Sequence, residues 1–273
     1  VATFKFLTLG NSIMEFVNQV LSTAGPPLIA IFFTSIDDTF IFFSMPGVHA
    51  LSVLFAFLFF IRFKEKKNVE ENESNNKKTL MDGISYSYNF INIRILLILT
   101  STILFWGLTQ PLIPRISKDI LDAGSGGYAI LLSTGALGAM IGSITLPLAQ
   151  SFFRNSKSIV LCITCYSITL IGLALSKSIV LSGIFLGLGG FFHLIWFTVI
   201  IILLQTLPDE NHRGRVVGLF FTFVQLYGLG FIIGGALGDT IGINPTIYIA
   251  SSSLIAIHLI CFISSPSFRS LKS

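Results

Sequence analysis

Long apolar runs separated by short polar stretches dominate the chain. They lie near 12–35, 39–61, 93–114, 128–150, 158–176, 179–206, 216–238 and 244–264, each close to the roughly 20 residues a helix needs to cross hydrocarbon. Only a closed hydrogen-bond ladder satisfies a backbone in that medium, so each run predicts a membrane-spanning helix. Glu15, Asn18 and Gln19 dilute the first run. An even number of crossings puts both chain ends on one side.

One long hydrophilic stretch, from about Phe63 to Asn92, interrupts this pattern after the second run. Its middle, KEKKNVEENESNNKK, has the mixed charge and low apolarity of a solvated linker. Beyond it, Leu80, Met81, Ile84, Tyr88 and Ile91 recur at spacings of three, four and seven, predicting a short interfacial helix that leads into the third span. The organisation expected is two closing helices of one bundle (1–62), a central linker (63–92) and a complete six-helix bundle (93–273). The fold class is an all-α membrane protein.

Composition agrees. Of 273 residues, 53% are hydrophobic and 11% charged, against about a quarter charged in soluble domains. This excludes an ordinary cytosolic enzyme, a disordered chain and a disulfide scaffold. The net charge of +4 sits in short loops, which points to lipid headgroups and not to nucleic acid. Of the 17 Lys and Arg, fourteen fall on one side of the eight-span arrangement and only Arg115, Lys118 and Lys177 on the other. Basic loops are retained inside during insertion, so both ends are expected in the cytoplasm and the protein in the cell (inner) membrane. Cys162, Cys165 and Cys261 lie in apolar runs, where a thiol acts as a small hydrophobe. The first residue is Val, with no signal sequence after it; the chain is expected to lack its natural start.

Polar groups at membrane depth are functional candidates because burying them in lipid is costly. Glu15 carries Asn18 and Gln19 at i+3 and i+4. It either holds a proton facing a wet cavity or sits at headgroup level. His193 lies deep in its span, as a substrate contact and proton relay or as a satisfied packing residue; His49 and His258 carry the same ambiguity. Trp106, Gln110, Trp196, Gln225 and Tyr227 would suit an amphipathic organic molecule, which needs apolar walls and a few orienting contacts. Asp239, at the end of the seventh run, is expected to meet headgroups or water. The glycines at 135, 138 and 142, at 183 and 187, and at 230, 234 and 238 recur at intervals of three or four; they read either as static close packing or as a rocking seam between bundles. Setting Leu21 to Ile36 over Leu226 to Ile241 aligns Gly25 with Gly230. A break at Gly25, Pro26 and Pro27 would then match the glycine-rich segment in the second half, as in transporter gates.

No GxxxxGK[ST] loop, HExxH pattern or nucleophile elbow occurs, so neither nucleotide hydrolysis nor another enzymatic activity is expected. The CxxC of Cys162 and Cys165 has no second ligand pair. No cofactor is implied.

The segment from Gln205 to Val216, QTLPDENHRGRV, resembles the loop between the tenth and eleventh helices of major facilitator superfamily transporters, most of all the branch of the enterobactin exporter and related efflux proteins. Gly234, Gly235, Ala236, Leu237, Gly238 and Asp239, then Leu80, Met81, Asp82 and Gly83, and Gly126, Gly127 and Tyr128, agree with the same branch. The resemblance implies a major facilitator-type helical bundle, with eight transmembrane helices of an expected twelve. It also implies an N-terminally truncated fragment, unable to transport alone. Gly25 and Pro26 match the family's antiporter signature; Leu21 and Ala30 depart from it. Arg213 and Arg215, with Asp209 and Glu210, read either as charges that pair across the halves when one side closes or as anchors; Gly214 between them suggests a tight backbone constraint.

The function expected is secondary active efflux of a small organic molecule, such as a drug or siderophore, by alternating access. Glu15 and His193 are expected to carry protons. Asn18, Gln19, Gln110, His193, Trp196 and Gln225 are expected to contact substrate, and Gly25, Pro26, Asp209, Arg213 and Arg215 to gate it. The partners are substrate, protons and lipid, in a monomer. The alternative is a non-transporting polytopic scaffold or receptor with the same fold.

Overall fold

The computed structural model describes residues 4–33, 46–47, 50–55, 57–58, 80–153 and 155–271. The chain divides into two compact units, Val1–Thr23 with Thr79–Ser273, and Ala24–Lys78. The described parts of the second unit are helical. Most of the expected second span, His49 and the expected linker as far as residue 79 lie outside the described residues.

Helix α1 (Phe4–Phe33) covers most of the first expected span and runs unbroken through Gly25, Pro26 and Pro27. The expected interruption is absent. Two prolines remove two amide donors, a loss that helices in apolar surroundings tolerate when other groups satisfy the freed carbonyls.

Among the described residues, six helices are long and apolar enough to cross a membrane: α3 (Ile91–Ile120), α4 (Gly124–Leu148), α5 (Ser156–Leu175), α6 (Ile179–Thr206), α7 (Glu210–Thr240) and α8 (Ile243–Ser264). They fall on the third to eighth runs of the sequence. Before them comes α2 (Leu80–Asn89). Helix α3 is irregular, with a 3₁₀ turn at Gln110–Leu112 and a π turn at Ile116–Ile120, around Pro111 and Pro114, which cannot donate to the ladder. Helix α7 is interrupted at Gln225.

Short turns make successive helices reverse direction. One end of the six-helix set therefore gathers Arg94, Lys157, Arg213, Arg215 and Arg269, and the other Arg115, Lys118 and Lys177. Between the ends the helices are apolar all round. Leu96, Leu99, Leu112, Ile195, Ile202 and Leu203 form the core, while Ile130, Ile141, Ile168, Ile184, Ile232 and Ile260 are exposed. An apolar shell of that extent is stable only against lipid.

The glycine rows seat helix pairs inside this one unit. A Cβ on Gly138 would strike the Gly187 carbonyl, and one on Gly190 the Gly135 carbonyl, so α4 and α6 touch backbone to backbone. Gly230 and Gly234 likewise meet the carbonyls of Leu104 and Leu108 in α3. These contacts show the close packing that both readings of the glycine intervals require.

Helix α2 turns its stripe outward: Met81, Ile84 and Tyr88 are exposed. Its inner side is held to α7. Gly83 leaves room for the Arg215 stem, whose Cβ would lie 2.8 Å from a Cβ there, and Tyr86 stacks on His212 at 4.0 Å.

Candidate functional site

Inside the first unit lies a cavity of about 470 Å³, bordered by α1, α3, α4, α5, α6, α7 and α8. Most of its wall is aliphatic or small. Leu131 and Leu132 of α4, Leu170 and Leu173 of α5, and Ile103 and Ile113 of α3 contribute. Gly135 of α4 and Gly190 of α6 lie where those two helices approach, and Gly189 faces Tyr166 and Thr169 of α5.

Aromatic rings line one side. Trp106 stacks on His193 with ring centres 4.7 Å apart and planes 13° apart, and Tyr166 meets the same imidazole at 5.3 Å. Phe197, one turn beyond His193 on α6, stacks at 6.3 Å. Tyr227 covers Trp106 from α7 at 4.8 Å. His193 Nε2 is buried and has no hydrogen-bond partner among the described residues. An imidazole nitrogen left bare inside a protein is costly unless something occupies the space beside it.

Four of the polar residues singled out in the sequence line this cavity: Glu15, Gln19, Gln110 and His193. Glu15 and Gln19 are four residues apart on α1, so one helix face presents both. Asn18 is exposed and lies outside the lining. Gln225 sits exposed at the break in α7, while its neighbour Val224 reaches the wall.

Trp196 also lies outside the lining. It is 1% exposed, and its indole Nε1–H donates to His258 Nε2 at 2.9 Å, joining α6 to α8. His258 Nδ1 lies 2.8 Å from the Leu254 carbonyl, so the ring donates from Nδ1 and accepts at Nε2. Of the two readings of His258, a satisfied packing histidine is the one seen. Trp196→Phe is expected to cost about 1–3 kcal/mol, the penalty for stranding a buried acceptor. The double variant Trp196→Phe, His258→Leu should recover part of that loss in thermal unfolding in detergent.

On the basic end, Asn11 Nδ2 of α1 donates to Gln205 Oε1 of α6 at 3.0 Å. Asn11 is one turn before Glu15, so this tie flanks the cavity on that side. Asp209 precedes α7; its backbone N–H donates to Tyr86 Oη at 3.2 Å, and its carboxylate is 3.8 Å from His212 Nδ1. Arg213 Nε is buried without a partner among the described residues. Gly214 departs from the expected constraint: nothing lies within 4 Å of a Cβ built on it, and it sits in regular helix. Gly214→Ala is therefore expected to raise stability by up to about 1 kcal/mol, read as an unchanged or higher unfolding midpoint. Gly25 and Pro26 fall within α1.

The opposite end holds an ion pair not anticipated from sequence. Arg115 of α3 reaches Asp239 of α7 at 2.8 Å; a Cβ on Gly238 would lie 2.9 Å from the guanidinium, so the glycine clears the path. Asp239 pairs with a neighbouring helix instead of meeting only headgroups or water.

Comparison with curated proteins gives no match. The profile of the family described as transmembrane secretion effector, of the major facilitator type, matches residues 12–271. The match covers most of the chain, and the chain belongs to this family of major facilitator superfamily transporters.

Proposed function

We propose that the chain works in secondary active efflux of a small organic molecule, in the manner of the enterobactin exporter branch, by alternating access and in exchange for protons. The observation that carries this reading is the cavity: about 470 Å³ bordered by apolar helices, with Glu15, Gln19, Gln110 and His193 brought to its wall from three different helices. Drug-sized ligands occupy pockets of roughly 300–1,000 Å³ with the same mix of apolar wall and sparse polar groups.

In this reading Glu15 is the proton carrier and His193 the second candidate. The ends of the bundle act as gates, with Asn11 and Gln205 on one side and Arg115 and Asp239 on the other. Asp209 and Arg215 couple the first gate to α2 through Tyr86 and Gly83, and Arg213 is a gating charge beside them. The excess of basic residues at the α3 start and α8 end favours placing that end in the cytoplasm, in a monomeric major facilitator-type bundle.

The test is energised flux of a fluorescent amphipath in vesicles, using the protein expressed from its complete gene. A proton gradient should drive flux in the wild type, and Glu15→Gln and Arg213→Ala should each reduce it at least about tenfold, as expected when an obligatory charge is lost. Flux absent in the wild type would favour a scaffold or receptor. Flux unchanged in both variants would remove Glu15 and Arg213 from the mechanism.

A further inference from the structure

We infer that the cavity selects its occupant by charge and shape, taking an organic cation with aromatic or other flat apolar groups and rejecting anions of the same size. The inference rests on the transport reading for its physiological meaning, but the binding it describes does not require flux.

Among the described residues lining the cavity, Glu15 is the only carboxylate, and there is no Lys or Arg. Among the described residues no basic side chain is seen paired with Glu15 either. An unpaired carboxylate facing an apolar cavity exerts its field with little screening. It attracts a cation and repels an anion within the same space.

The aromatic wall has the same sign. Trp106, Tyr166 and Phe197 surround His193, and the negative face of an aromatic ring favours a nearby cation. Gln19 and Gln110 offer neutral dipoles that can turn either way, and His193 offers an imidazole without a described partner at Nε2. Two independent features, the lone carboxylate and the ring cluster, therefore favour one class of ligand. Between the two substrates named from sequence, a cationic drug fits and an anionic chelate does not.

Tetraphenylphosphonium and tetraphenylborate share one four-phenyl shape and carry opposite charge, so they separate charge from size. Binding of each to the purified chain in neutral detergent would be measured by equilibrium dialysis. Comparing variants for one probe at a time cancels its partition into detergent.

The expected result is that Glu15→Gln weakens tetraphenylphosphonium binding about tenfold, a loss consistent with a partly solvated charge pair, and leaves tetraphenylborate unchanged or tighter. Glu15→Asp should keep the cation affinity, and Gln110→Lys should shift preference toward the borate; together they keep the inference testable if Glu15→Gln does not fold. The inference is overturned if neither probe binds, if Glu15→Gln leaves tetraphenylphosphonium affinity unchanged, or if both probes lose affinity equally. Charge-selective binding without flux from the complete gene would sustain this inference and end the transport reading. Flux that favours anions would do the reverse.

Discussion

Gly138→Leu is expected to prevent the six-helix unit from forming a stable fold, with Gly138→Ala giving a graded version of the same defect. The Gly138 Cα faces the Gly187 backbone, and the nearest atoms to any added Cβ are the carbonyl, C and Cα of that residue. Backbone cannot rotate aside as a side chain can, so α4 and α6 must separate to admit even one methyl. These two helices share the most extensive helix–helix contact in the unit. Separating them also strips the close approaches of Gly190 to Gly135 and of Gly142 to Phe191. Overpacking of this kind costs typically about 1–3 kcal/mol for the smaller change and more for the larger. Thermal unfolding in detergent would show a lowered midpoint for Gly138→Ala and no cooperative transition for Gly138→Leu. Gly218→Ala is the control, because nothing lies within 4 Å of a Cβ there. An unchanged midpoint for Gly138→Ala would mean that the helices do not touch as described.

The six long apolar helices between residues 91 and 264 were readable because hydropathy and span length leave few alternatives for a chain in lipid. The four cavity residues were readable for a related reason: a Glu, a Gln or a His at membrane depth stands out against an apolar background. What could not be read was rotation about each helix axis. In a soluble helix the polar face marks the outside, but here lipid and core are both apolar, so Trp106 and Trp196 look equivalent in sequence. One lines the cavity, and the other is sealed against His258. Asn18 and Gln19 differ in the same way, one position apart and about 100° around the helix. The remaining wall, including Tyr166, Thr169, Leu170 and Gly189, carries no sequence signature, since small and apolar residues serve packing everywhere else in the chain. Long-range partners such as Arg115 for Asp239, or Tyr86 for His212, need the fold before they can be matched.

Bridging residues 11 and 205 covalently is expected to arrest flux. The Asn11 side chain both donates to its own Leu7 carbonyl at 2.8 Å and ties α1 to α6 through Gln205, one turn from the Glu15 that lines the cavity. If substrate leaves or enters past this point, the two helices must part there in each cycle. One neutral hydrogen bond contributes only about 0.5–1.5 kcal/mol, which is small enough to break and re-form on the timescale of domain rocking. A covalent link is not. With Cys162, Cys165 and Cys261 replaced by alanine and cysteines placed at 11 and 205, a bifunctional thiol reagent with a reducible spacer should lower flux more than about tenfold, and reduction should restore it, as for other conformational clamps. Either single cysteine with the same reagent should retain flux. Asn11→Ala alone should act in the opposite direction, shifting the balance toward the state open at the basic end by about fivefold, the population equivalent of one lost hydrogen bond. Accessibility of a cysteine at Gln19 to a hydrophilic reagent would report that shift. Undiminished flux in the bridged protein would show that α1 and α6 stay together through the cycle, and the opening would then have to lie between other helices.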